Sequence, residues 1–138
     1  MHSLFTSCRS LTSLDLSTYD TSKVTDMGEM FSMCEKLGNL GLSNFNISNA
    51  VDISFMFASM NRLTSINLSS FNTEKITNMM HILYGDYSLL ILDLSSFNTS
   101  NAIDIAAILH GYSALCELDL SNFDPSKVTT MTAIFIEC

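Results

Sequence analysis

Apolar residues recur with two different spacings along the chain. In residues 11–16, Leu14 and Leu16 are separated by Asp15, and this alternation is typical of a short strand with one buried face. In residues 24–34 the spacing changes, and at about 100° per residue the apolar positions fall within an arc of roughly 120°, which indicates an amphipathic helix. These positions are Val24, Met27, Met30, Phe31 and Cys34. We therefore predict a strand followed by a helix.

The segment that contains both spacings repeats along the chain at a constant interval, without insertion or deletion. The motif L-x-x-L-x-L begins at Leu11, Leu37, Leu63, Leu89 and Leu115. An aromatic residue and then an Asp or Asn follow in every unit, at 19–20, 45–46, 71–72, 97–98 and 123–124. A period of about 26 residues is typical of repeat arrays in which neighbouring units share one core.

The repeats define one domain, residues 1–138. It consists of a partial unit, 1–10, and of five repeats, 11–36, 37–62, 63–88, 89–114 and 115–138. The chain begins and ends at the same phase of the unit and shows no obvious polar cap, so we expect it to be a piece of a longer array.

The predicted fold is an α/β repeat solenoid. Strands stack about 4.8 Å apart while helices need about 10 Å, so we expect a curved horseshoe with a parallel sheet on the concave face and short helices on the convex face. The aromatic column should stack as an internal spine. Asp26, Asp52 and Asp104 suit helix N-termini, and Gly85 and Gly111 suit helix ends.

Composition narrows the classes of partner. The formal charge of −8, with only six Lys and Arg, argues against nucleic acid and anionic membrane surfaces. No apolar run approaches the roughly 20 residues that a membrane-spanning helix requires, so we expect no direct membrane insertion.

Cysteines and histidines are the candidate chemical groups. Cys8, Cys34 and Cys138 share one predicted helical column, and helices about 10 Å apart would keep Cys8 and Cys34 beyond disulfide reach, so we expect reduced packing residues, as for Cys116. His2, His81 and His110 fall at unrelated columns of the predicted convex side. We predict no metal, no cofactor and no catalytic site, and therefore no enzyme.

The outward positions of the predicted strands form an acidic, hydroxyl-rich face. We predict this concave face as the binding surface, with a merely solvated sheet face as the alternative. Its residues are Ser13, Asp15, Asn39, Ser65, Asn67, Ile91, Asp93, Glu117 and Asp119. Such a face suits a basic protein patch or a glycan.

The unit LTSLDLSTYDTSKVTDMGEMFSMC, residues 11–34, resembles the BspA-like leucine-rich repeats of bacterial and protist surface proteins. The resemblance covers the whole chain, although repeats two and four carry Asn-Ala where others carry Lys before Val or Ile. It implies a secreted or cell-surface protein that binds host, matrix or other cell-surface proteins without catalysis. A structural spacer without a ligand stays an alternative, and ice or crystal-surface binding through Thr25, Thr77 and Thr129 is a remote one.

Overall fold

The computed structural model describes residues 1–113 and 118–138. Within these two ranges there is no helix and no continuous strand, and β pairing is limited to isolated parallel bridges. The bridges join Asp26 to Asp52, Asp52 to Asn78, Asn78 to Asp104, Asp104 to Thr130, and Ser65 to Ile91. The predicted α/β solenoid with a concave sheet and convex helices is therefore wrong, and so is its description as a leucine-rich-repeat horseshoe. Leu115 and Cys116, at the start of the fifth repeat, lie outside the described residues.

Residues 27–34 form successive tight turns where a helix was predicted. The Met30 N–H donates to the Met27 carbonyl at 3.3 Å, and the Cys34 N–H donates to the Phe31 carbonyl at 3.1 Å, so each bond spans three residues rather than four. Glu29 and Met33 have φ of 56° and 58°, in the left-handed region. An α-helix needs φ near about −63° at every residue, which these residues do not adopt.

The same two positions are left-handed in every repeat. Gly85 and Gly111, expected at helix ends, occupy the second of them, with φ of 75° and 96°. Other repeats place Met33 and Ser59 there instead. The remaining left-handed residues are Ser3, Ser7, Phe55, His81, Ala107, Ala133 and Glu137. The backbone conformation is thus a property of the repeat and not of individual glycines.

Backbone hydrogen bonds join neighbouring repeats on this turn side. The Met27 N–H donates to the Asp52 carbonyl at 2.9 Å, and the Phe31 N–H donates to the Met56 carbonyl at 2.9 Å. Strand-like spacing of about 4.8 Å therefore applies here, instead of the roughly 10 Å between packed helices. The predicted curvature loses its basis, because it required two unequal spacings.

The predicted strand half, in contrast, contributes little backbone pairing between repeats. Its one described hydrogen bond of this kind runs from the Leu90 N–H to the Thr64 carbonyl, at 3.5 Å. The two halves have thus exchanged roles, because the half predicted to be helical carries the regular inter-repeat ladder.

The core follows the predicted columns. Leu16, Phe45, Phe71, Phe97 and Met27 are all buried, as the periodicity predicts. The rings that stack face to face, however, belong to another column: Phe5 lies 5.7 Å from Phe31, and Phe31 lies 5.9 Å from Phe57, with nearly parallel planes. Phe45 and Phe71 only tilt against this stack. An aromatic spine is therefore present, but it runs through a different column from the predicted one.

Side chains replace secondary structure at the turns. Asp26, Asp52 and Asp104, expected at helix N-termini, instead accept the N–H of the residue two further on, at 2.8–2.9 Å. A buried threonine hydroxyl then links adjacent repeats: Thr73 Oγ1 donates to the Asn98 carbonyl at 3.0 Å and accepts the Asn98 N–H at 2.8 Å. Thr21 and Thr99 make the same pair of hydrogen bonds, and we call this arrangement the threonine clamp.

Candidate functional site

The predicted binding residues do lie on the surface, although the face is not a concave sheet. Ser13, Asn39 and Ser65 are exposed, and Ser65 pairs with Ile91 through a parallel bridge. The acidic column, Asp15, Asn67, Asp93 and Asp119, is exposed as well. Glu117 lies outside the described residues. The described members of the predicted face are thus exposed, and their role in binding stays a prediction.

Each member of the acidic column closes a turn of its own backbone. Asp15 Oδ1 accepts the Ser17 N–H at 2.9 Å, and Asp93 Oδ1 accepts the Ser95 N–H at 2.8 Å. Asn67 and Asp119 do the same with Ser69 and Ser121. These side chains are therefore structural first, although an aspartate that closes a turn through Oδ1 still has acceptor sites for a second contact.

The turns also fix the charge of this column. Hydrogen bonds from Ser17 lower the pKa of Asp15, and those from Ser95 lower the pKa of Asp93. Hydrogen bonds from Ser121 lower the pKa of Asp119, although the nearby Asp93 charge acts in the opposite direction. The column therefore presents negative charges at neutral pH, in repeats one, four and five.

An exposed apolar pair interrupts this polar face in the fourth repeat. Leu90 is 63% exposed and Ile91 is 74% exposed. At the position of Leu90 the other repeats have Thr12, Gly38, Thr64 and Cys116, and at the position of Ile91 they have Ser13, Asn39, Ser65 and Glu117. Ile91 was among the predicted binding residues and Leu90 was not, although both are large apolar residues in columns of small or polar ones. We call Leu90 and Ile91 the apolar pair.

Two histidines belong to an aromatic cluster on the turn side. The His81 ring is stacked on Phe55 at 4.6 Å and the His110 ring on Tyr84 at 4.6 Å, while Tyr84 also contacts His81 at 5.0 Å. These histidines were predicted at unrelated columns, and the contact through Tyr84 was not foreseen. Burial lowers the pKa of His81. No group of three or more His, Cys, Asp or Glu able to hold a metal occurs among the described residues.

A carboxyl group lies fully buried in the core. Asp86 is 0% exposed, its Oδ1 accepts the Met60 N–H at 2.6 Å, and its Oδ2 has no partner among the described residues. Burial raises the pKa of Asp86 to about 8. The hydroxyl of Tyr112, one repeat further on in the same column, likewise has no partner in the described chain, and burial raises its pKa too. Both groups are enclosed by the core and offer no access to a substrate.

The three described cysteines are free thiols. The separation predicted for Cys8 and Cys34 was nevertheless wrong, because it required helices about 10 Å apart and these residues lie in turns instead. The Cys34 thiol and the Cys8 N–H both donate to the Phe5 carbonyl, at 3.2 Å and 3.1 Å. The two residues are therefore close neighbours in adjacent repeats.

The threonine column on the turn side does not present free hydroxyls throughout. Thr77 Oγ1 donates to the Val51 carbonyl at 3.2 Å, and Thr129 Oγ1 donates to the Ile103 carbonyl at 3.3 Å. Val51 and Ile103 occupy the alternate positions of this column. The column thus offers no regular hydroxyl grid of the kind that ice binding was expected to need.

Comparisons with known proteins place the whole chain in one family. Residues 1–108 and 61–138 match a family model described as "Mycoplasma protein of unknown function, DUF285". No curated protein and no solved structure matches the chain. Over the described parts of the chain, no helix has the length and hydropathy that crossing a membrane requires.

Proposed function

The chain belongs to the DUF285 family, and from this premise we propose that it is a non-enzymatic protein-binding module whose binding surface is the apolar pair and the acidic column beside it. The observation that carries the proposal is the exposure of Leu90 and Ile91 at positions where the other repeats have small or polar residues, namely Thr, Gly or Cys at the first and Ser, Asn or Glu at the second. Single exposed apolar residues are common on protein surfaces, whereas contiguous ones mark interaction sites, and Leu90 and Ile91 are adjacent.

The neighbouring charges indicate the chemistry of the partner. Ile91 and Asp93 are two residues apart, and both are exposed. Asp119 follows one repeat further on. A partner segment with an apolar side chain flanked by Lys or Arg would cover the pair and face the two carboxylates. Burying each apolar side chain is worth about 1.5–3 kcal/mol, whereas exposed ion pairs contribute roughly 0–1 kcal/mol. The apolar contact should therefore determine affinity, which favours a protein over a glycan.

The resemblance of the unit to BspA-like repeats supports a position at the cell surface or outside the cell, with host, matrix or other cell-surface proteins as partners. This location is part of the proposal. Catalysis is not part of this proposal. Asp86 and Tyr112 are buried in the core, and Asp15 and Asp93 of the acidic column close turns.

A displayed peptide library panned against the chain tests the proposal. We expect selection of peptides that combine an apolar residue with Lys or Arg. The double variant Leu90→Thr/Ile91→Ser introduces residues that the same columns already carry, so it should fold normally and bind the selected peptides at least about tenfold more weakly, a loss of roughly 1.4 kcal/mol.

Two controls separate this surface from general stickiness. Ile103→Thr removes a half-exposed isoleucine from another column, where Thr25 and Thr77 are the natural residues, and should leave binding unchanged. Asp93→Asn/Asp119→Asn keeps the turns, as Asn67 shows, and should reduce mainly the salt dependence of binding. If Ile103→Thr weakens peptide binding as much as Leu90→Thr/Ile91→Ser does, or if that double variant binds normally, the proposed binding surface is wrong. The chain is then better interpreted as a structural spacer.

A further inference from the structure

The acidic column lacks a side chain in the second repeat, where Gly41 occupies its position. In the other repeats an Asp or Asn side chain accepts the N–H of the serine two residues further on. The equivalent N–H in the second repeat, that of Ser43, has no acceptor among the described residues. Gly41 therefore leaves one turn of the column open.

The fold itself does not require glycine at position 41. A Cβ atom there would have no neighbour within 4 Å beyond the adjoining residues. The backbone of Gly41 is not left-handed either, unlike that of Gly85 and Gly111. Glycine loses more conformational freedom on folding than any other residue, and here it also forgoes the hydrogen bond that closes the turn. A residue that costs stability without a structural benefit is typical of a functional position.

An open cavity of about 150 Å³ surrounds Gly41. Asp15 and Ser43 both line this cavity. Asp15 Oδ1 accepts the Ser17 N–H at 2.9 Å, and the carboxylate still has acceptor sites for a second contact. The cavity thus offers one acceptor, the Asp15 carboxylate, and one donor, the Ser43 N–H.

The turn side of the chain shows which group satisfies such a donor and such an acceptor together. Asn78 Oδ1 accepts the Met80 N–H, two residues further on, at 3.1 Å, and Asn78 Nδ2 donates to Asp52 Oδ2, one repeat earlier, at 2.9 Å. Asp52 closes its own turn with the Ser54 N–H at the same time, at 2.8 Å. One side-chain amide thus joins a turn N–H to the aspartate of the preceding repeat.

We propose that the cavity at Gly41 binds the side-chain amide of an Asn or Gln residue of the partner protein. The amide oxygen accepts the Ser43 N–H, and the amide nitrogen donates to the Asp15 carboxylate. A Lys side chain would leave the Ser43 N–H without an acceptor, and a carboxylate would meet the negative charge of Asp15. This contact rests on the protein-binding function proposed above, since the apolar pair and the acidic column supply the rest of the surface.

The distance between the cavity and the apolar pair restricts the partner further. Gly41 and Asp93 share a column two repeats apart, which is about 10 Å at a strand-like spacing of about 4.8 Å. The apolar pair lies in the repeat of Asp93. An extended segment advances at most about 3.3–3.6 Å per residue, so the amide residue of the partner should lie at least about three residues from its apolar residue.

A comparison of matched peptides tests the assignment. The probes are peptides selected from a displayed library against the natural chain, each also made with Ala in place of its Asn or Gln. We expect Asn or Gln to be enriched at the stated separation from the apolar residue. The Ala peptides should bind at least about fivefold more weakly, because two hydrogen bonds are lost. The NMR signal of the Ser43 N–H should shift with the original peptide and not with the Ala peptide.

Gly41→Asn fills the cavity with an amide of the chain itself. The new side chain should close the turn as Asn67 does with Ser69, so the urea concentration at the midpoint of unfolding should rise. This variant should bind the original peptide and the Ala peptide equally. Thr12→Asn adds the same side chain at an exposed position that does not line the cavity, and it should keep the natural preference.

The outcomes separate this contact from the proposed function. Peptides that need Leu90 and Ile91 but bind equally well with Asn or Ala would overturn the amide contact alone. A preference for Asn that persists in Gly41→Asn, or selection of Ser or Thr in its place, would overturn it as well. A preference that Gly41→Asn abolishes, in peptides that do not depend on Leu90 and Ile91, would support the cavity and contradict the apolar pair as the binding surface. A library that yields no binder contradicts both.

Discussion

At the scale of single residues, the threonine clamp joins two repeats through one hydroxyl. Thr73 is 0% exposed, and its hydroxyl satisfies both the N–H and the carbonyl of Asn98. Repeat two has Ile47 at the equivalent position, also buried, so an apolar β-branched residue fits the space without making the bonds. The clamp therefore contributes hydrogen bonding and not shape.

Replacing Thr73 with Val should thus destabilise the fold by about 1–3 kcal/mol, because it leaves the Asn98 N–H without this partner while preserving volume. Urea unfolding at constant pH measures the change. Thr12→Val, the same substitution at an exposed position, is the matched control and should lie within about 0.5 kcal/mol of the natural chain. Similar losses in both variants would show that the clamp has no special role.

Asp86 should make stability fall as the pH rises. Its pKa is about 8 in the folded chain, against an ordinary value of 3.8, so between these two values the unfolded chain has lost a proton that the folded chain still holds. By linkage, the free energy of unfolding decreases from about pH 4 to about pH 8, by an amount on the order of a few kcal/mol.

Asp86→Asn removes this dependence, since the amide oxygen still accepts the Met60 N–H and the side chain stays neutral. We expect the difference in unfolding free energy between variant and natural chain to grow in favour of the variant from about pH 5 to about pH 8. Asp93→Asn serves as a control with the opposite sign: its pKa is lowered, so its contribution is present at neutral pH and is lost as the pH falls below about 4. A pH-independent difference for Asp86→Asn would contradict the assignment.

Among the elements, the turn segment replaced the predicted helix for a reason that periodicity cannot reveal. Met27, Met30, Phe31 and Cys34 are buried, as an amphipathic helix would have them. They are buried equally well by a ladder of turns. What decides between the two is the destination of the backbone N–H groups: those of Met27 and Phe31 go to carbonyls of the neighbouring repeat, whereas those of Met30 and Cys34 close three-residue turns. Hydrophobic spacing predicts which residues are inside but does not report these long-range partners.

The two arrangements differ in the distance between Cys8 and Cys34, and this difference can be measured. With repeats about 4.8 Å apart the pair lies within the Cα range of a disulfide, whereas helices about 10 Å apart exclude it. Dilute protein treated with oxidised glutathione should form an intramolecular bond between these cysteines, identified by mass spectrometry. Closing this loop should raise stability by about 3 kcal/mol.

Cys34→Ser is the control for this cross-link. It should retain the fold and form no intramolecular bond to Cys8. Burial raises the pKa of the Cys34 thiol, so the reaction is repeated in partial denaturant, which exposes this thiol. If the natural chain still forms no cross-link, the result favours the wider helical spacing.

At the scale of the whole molecule, the repeat itself was predictable and its architecture was not. The constant interval between repeats identified the buried columns around Phe45 and Phe71, because any stacked array must bury its recurring apolar positions. Horseshoe curvature was inferred from an assumed helix and was wrong with it. Part of the candidate surface could be proposed from the sequence, because Ile91 is apolar and Asp93 is charged at positions where other repeats differ. The contacts of Tyr84 with His81 and His110 could not, because they depend on the turn geometry.

The inter-repeat ladder also determines how the chain can fold. Its hydrogen bonds join residues one repeat apart, and the turns beside them are too short to hold themselves together, so one repeat alone has no stable structure to begin from. The first pairing of two repeats must close a loop as long as a whole repeat, and this costs conformational entropy before any contact between the repeats has formed to offset it. Every later repeat adds to a surface that already exists. The slow step is therefore the meeting of the first two repeats, and growth from that nucleus follows quickly in either direction.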